Sequence, residues 1–119
     1  MAHPVVGWEI RGRDVERLRR FYEDLFGWKV DMARCDRGIV EADGGVPGAI
    51  VKSEPGVVIQ VRVASLLAAL ARVDEFGGTA VTDPEPDKGR GSVAAVRDPE
   101  GNLIELLRLD ERRVGEDNS

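Results

Sequence analysis

Residues 5–30, VVGWEIRGRDVERLRRFYEDLFGWKV, and residues 57–81, VVIQVRVASLLAALARVDEFGGTAV, follow one plan twice. Each opens on a short run rich in β-branched residues, passes a polar residue suited to capping a helix, and continues through an amphipathic stretch. Each then closes on Phe-Gly before another strand-like run. In the first copy Asp14 is the expected N-cap, Val15, Leu18, Tyr22 and Leu25 form the apolar stripe, and Gly27 ends the helix. In the second copy Ser65 caps, Leu66, Leu70 and Val73 form the stripe, and Gly77-Gly78 stops it. Both stripes read as core.

Outward from these copies the chain offers short strands separated by turn residues. In the first half they are WKVDMA (28–33), GIVEA (38–42) and GAIVK (48–52); in the second, TAVTD (79–83), SVAAVRD (92–98) and NLIELLRL (102–109). The stretch DPEGN (98–102) places Pro and Gly where a tight hairpin turn uses them. Residues 84–91, PEPDKGRG, read as a polar loop, and residues 110–119 as a disordered tail. Each half is thus β-α-β-β-β, and the expected organisation is one α+β domain over 1–109, built of units at about 4–54 and 55–109.

The composition narrows the functional classes. At 119 residues, 42% hydrophobic and 33% charged, the chain has the make-up of a folded domain, with no apolar run of the ~20 residues that a membrane-spanning helix needs. A formal charge of −5 argues against nucleic acid and against membrane surfaces as partners. No stretch resembles a signal peptide, and the lone Cys35 cannot close an intrachain disulfide, which fits a cytoplasmic protein. The glycines of EADGGVPG (41–48) form no phosphate loop, because GxxxxGK[ST] is absent.

FYEDLFGWKV (21–30), FGGTAV (76–81) and DPEGNLIELLR (98–108), in this order, resemble the vicinal oxygen chelate superfamily of glyoxalase I, extradiol dioxygenases, and fosfomycin and bleomycin resistance proteins. Within it, the chain is most similar to the small proteins related to lactoylglutathione lyase. The resemblance covers about residues 4–109. It implies two curved mixed sheets, one per unit, around a cleft, and a homodimer.

The metal-dependent members carry ligands at positions that match Gly7, Val58, the stretch Ala49 to Val51, and Glu105. Only Glu105 has a donor atom. A catalytic divalent ion takes about three protein ligands, so no metal and no cofactor is expected. His3, the only histidine, shares strand parity with Gly7 but lies four residues earlier.

The polar face of the first strand carries the remaining signal. Aligned on the repeat, Gly7-Trp8-Glu9-Ile10-Arg11 matches Val58-Ile59-Gln60-Val61-Arg62: an apolar residue, Glu or Gln, an apolar residue, Arg. That face is either a solvated surface or the wall of a pocket. The position matching Arg11 holds an acidic cofactor end in glyoxalase I, and guanidinium forks suit carboxylate or phosphate. The repeated strand pattern, together with the match of Arg11 and Glu105 to functional positions of the family, gives Glu9, Arg11, Gln60, Arg62 and Glu105 as expected ligand-binding residues, with Glu105 at the cleft floor as the one catalytic candidate. The leading expectation is a metal-free binder of a small, anionic organic molecule. An enzyme using Glu105 and Glu9 as acid and base is the alternative, and a structural dimer with a vestigial cleft is the second.

Overall fold

In the computed structural model, residues 2–41, 43–87 and 91–109 are described, and they form two compact units, one within 5–60 and the other of 2–4 with the described residues of 61–109. The expected tail at 110–119 and residues 88–90 of the expected loop lie outside the described residues.

The first unit runs β1 (Val5–Gly12), α1 (Val15–Phe26), β2 (Lys29–Arg34), β3 (Arg37–Glu41), β4 (Gly48–Lys52) and the start of β5 (Gly56–Arg62). Helix α1 begins where expected. The Asp14 carboxylate accepts from the Arg17 amide at 3.1 Å, which satisfies one of the donors that a helix start leaves orphaned. It ends at Gly27, whose left-handed backbone (φ 72°) lets its N–H reach the Glu23 carbonyl at 2.9 Å.

The strands lie in the order β2-β3-β4-β1-β5, with β1 and β4 parallel and both β2–β3 and β3–β4 antiparallel. Because side chains alternate, Trp8, Val30, Met32, Val40 and Ile50 share one face and pack with Val15, Leu18, Tyr22 and Trp28. Trp8 lies across β4, where a Cβ on its partner Gly48 would enter the indole. Leu25 departs from the expected stripe and is 59% exposed. Trp28 instead fills the place under α1, stacked on Tyr22 with centroids 5.1 Å apart.

The second unit takes up the chain at Val61, within β5. It contains α2 (Leu66–Val73), a 3-10 turn (Asp74–Phe76), β6 (Thr79–Ala80), β7 (Glu85–Asp87), β8 (Gly91–Arg97) and β9 (Leu103–Leu109). Ser65 caps α2 as expected, its hydroxyl accepting from the Ala68 amide. Antiparallel pairing joins β8 to β9, β6 and β7. The core is Val63, Leu66, Ala94, Val96 and Leu106 with Leu70, Val73 and Ile104 against it.

Two elements differ from expectation. The run TAVTD shortens to Thr79–Ala80, because Val81 and Thr82 both donate to the Ala95 carbonyl while the Thr82 hydroxyl takes the Ala95 amide. A side chain there replaces the next rung of the ladder. The segment read as a loop also contains a strand, Glu85–Asp87, with Pro86 opposite Ser92. Of its three residues, proline can give the sheet no N–H, a deficit tolerated at an edge. Among the described residues no helix is long and apolar enough to cross a membrane.

Candidate functional site

The first unit presents to its helix-free face whatever the core face does not use. Two adjacent rows follow from the register. Arg11, Val51 and Arg37 lie across β1, β4 and β3, and Glu9, Ala49 and Ile39 form the next row. Gln60 joins them from β5. Ala49 matters because it is small: the Arg37 side chain reaches over β4 to a carboxylate two strands away.

Glu9 is the centre of this cluster and is only 5% exposed. Its Oε1 accepts from Arg11, with Nε at 2.9 Å and Nη2 at 2.7 Å. Its Oε2 accepts from Arg37 Nη1 and from Gln60 Nε2, each at 3.4 Å. A buried carboxylate is costly unless paired and hydrogen-bonded, and here each oxygen has at least one donor. Glu9 thereby positions two guanidiniums. Arg37, with 27% of its side chain exposed and its bond to Glu9 at 3.4 Å, keeps N–H donors for another oxyanion.

Gly7 gains a reason in this arrangement. A Cβ at this buried position would run into the Gln60 side-chain oxygen. The side chain of β5 occupies the space that a first-strand metal ligand would fill. Val58 is 3% exposed and apolar, and Ala49 and Ile50 are buried. The positions that match the family's ligands therefore do not fit a divalent ion. Among the described residues no group of three or more His, Cys, Asp and Glu side chains converges.

Glu9, Arg11 and Gln60 thus come together, and Arg37 joins them. By sequence Arg37 falls between the strands WKVDMA (28–33) and GIVEA (38–42). Its alternation with Ile39 and Glu41 along β3 was the available signal. Farther along the same strands, Lys29, Asp31, Ile39 and Glu41 line a recess of about 690 Å³ with Phe26 and Trp28. Arg62 and Glu105 belong to the second unit. Arg62 is exposed at the end of β5 beside His3 and Arg108, and Glu105 is half-buried on β9 opposite Ala95 of β8.

Two successive units, each opening β-α-β with one helix packed on an antiparallel or mixed sheet, define the class of the vicinal oxygen chelate proteins. The chain belongs to the glyoxalase-like domain family, whose model matches residues 9–107. No curated protein matches it by sequence.

Among solved structures it is similar to methylmalonyl-CoA epimerase from Mycobacterium tuberculosis, at 16% identity and a TM-score of 0.70, over 91% of this chain and 89% of that one. A glyoxalase/bleomycin resistance protein/dioxygenase superfamily member from Vibrio splendidus 12B01 aligns at 20% identity and 0.67, over 90% and 99%. A variant of homoprotocatechuate 2,3-dioxygenase from B. fuscum aligns at 22% and 0.69, over 90% of this chain but 32% of that one. At these identities the likeness is one of fold.

Proposed function

We propose that the chain is a cytoplasmic, homodimeric small-molecule-binding protein that works without a metal, and that its ligand is an anionic organic compound held by Arg11 and Arg37. The observation that carries this reading is the buried Glu9 carboxylate, held by two guanidiniums and an amide on a sheet face that no helix of its unit covers. A purely structural sheet gains little from such a cluster, since apolar residues of similar volume would be as stable or more so. Val51 between the two arginines and Ile39 in the next row supply apolar surface for the organic part of the ligand.

The probes are homoprotocatechuate, methylmalonate and glutathione, all carboxylates. Titration calorimetry on the full chain should find at least one that binds, and Arg37→Gln should weaken it by about ten- to a hundredfold through loss of a charged hydrogen bond. Ala49→Leu, which closes the path of Arg37 over β4, should have the same sign. Equal affinity in all three proteins would overturn the reading. The dimer is checked by light scattering, which should give about twice the chain's 13.0 kDa. An enzymatic reading rests on Glu105, the one carboxylate at a matched family position; turnover of a probe that Glu105→Gln abolishes would establish it.

A further inference from the structure

We infer that the second unit carries a separate oxyanion-binding site, a recess of about 640 Å³ lined by His3, Pro4, Arg62, Val63, Arg108 and Leu109. Its ligand class is a small metabolite bearing a phosphate or several carboxylates.

Three chain segments bring their cationic or imidazole side chains here, and main-chain bonds tie them together. The Arg62 amide donates to the Pro4 carbonyl at 3.0 Å, and the Val63 amide to the Leu107 carbonyl at 2.8 Å. His3, Arg62 and Arg108 are thus carried by backbone that is already fixed, which lowers the ordering cost of binding.

Charge is the second observation. The chain has 22 acidic against 17 basic residues, and Arg11, Arg13, Arg19, Arg20, Arg34, Arg37 and Arg72 each pair with a carboxylate. Among the described residues neither Arg62 nor Arg108 forms an ion pair, and none of those lining the recess is acidic. Two like charges held together in an acidic protein call for an anion from outside, and paired guanidinium forks match the oxygens of phosphate or carboxylate. The same company argues against His3 as a metal ligand, since a divalent cation would meet two guanidiniums. Pro4, Val63 and Leu109 add apolar wall, and the volume suits a small organic molecule more than a bare ion.

The test uses inorganic pyrophosphate and citrate, titrated into the full chain by calorimetry while proton NMR follows the imidazole of the single histidine. At least one probe should bind with a sub-millimolar Kd, the His3 signal should move with the same midpoint, and Arg62→Gln and Arg108→Gln should each weaken binding about tenfold or more. Both arginines are exposed, so the variants keep the fold. Whichever probe binds more tightly assigns the class, phosphate or carboxylate. Arg37→Gln should leave this binding unchanged, which separates it from the reading of the first unit. Absence of heat and of any His3 shift up to about 10 mM would overturn the site. So would binding that survives both substitutions, or that is lost only with Arg37→Gln.

Discussion

Arg11 and Arg62 occupy equivalent positions in the repeat, each two residues beyond the polar residue of its strand. Arg11 has 19% of its side chain exposed and holds Glu9 at 2.7 Å. Arg62 is exposed, and among the described residues it has no carboxylate partner. The contrast arises at β5. By sequence this strand opens the second repeat, yet its residues through Gln60 pack with the first unit and only the residues from Val61 with the second. Gln60 therefore completes the cluster around its own repeat-mate Glu9, at 3.4 Å, while Arg62 falls beyond the boundary. The repeat places matching residues on the two strands, and the division of β5 gives them different surroundings.

The sharpest way to break this comparison is to remove the carboxylate. Glu9→Ala leaves Arg11 and Arg37 facing each other across Val51 without the group that offsets them. Loss of one partner from a buried pair costs about 3–5 kcal/mol. Arg62→Ala, by contrast, should stay within about 0.5 kcal/mol, as for surface substitutions generally. Urea unfolding of the two variants measures both, and similar losses would show that the repeat positions are energetically alike after all.

A smaller effect tests why the first repeat has glycine where the second has valine. Gly7→Ala forces the Gln60 side chain aside, and such overpacking costs about 1–3 kcal/mol. In a Gln60→Ala background the added methyl should be accommodated, so the double variant should be less destabilised than the two single losses summed. A coupling of at least about 0.5 kcal/mol in the cycle is expected. Strict additivity would mean that Gly7 is glycine for another reason.

These residues also show where sequence reading succeeds and where it stops. The caps at Asp14 and Ser65, the helix end at Gly27 and the turn at Asp98 rest on bonds within a few residues, and each forms as read. Glu9, Arg11 and Gln60 were legible as candidates because the repeat aligns them. Arg37 was not, since its partner is set by two registers, β3 with β4 and β4 with β1, that no local pattern encodes. The meaning of Gly7 likewise depends on a side chain 53 positions later. The strand at Glu85–Asp87 was hidden by its proline, which reads as loop until an edge is there to accept it.

The smallest effect concerns the carboxylate that the second unit places at its surface, in contrast to the buried Glu9. In the turn joining β8 to β9, Asp98 Oδ2 accepts from the Asn102 side chain, and Oδ1 from the Asn102 and Glu100 amides, all at 2.9 Å. The Asn102 side-chain bond first, and then these backbone bonds, hold the Asp98 carboxyl below its ordinary value. A lowered pKa in the folded state means that the unfolded chain binds the proton more readily. The stabilisation is therefore complete above the unfolded-state value of about 3.9 and is lost as pH falls through the lower folded value. Acidification from about pH 5 toward pH 2 should lower the protection of the Glu100 and Asn102 amides, read as exchange relative to the intrinsic rate at each pH, before the β8–β9 ladder loosens. Asp98→Asn, which cannot titrate, should flatten that pH dependence. If the two amides exchange alike in both proteins across this range, the Asp98 carboxylate does not hold the turn.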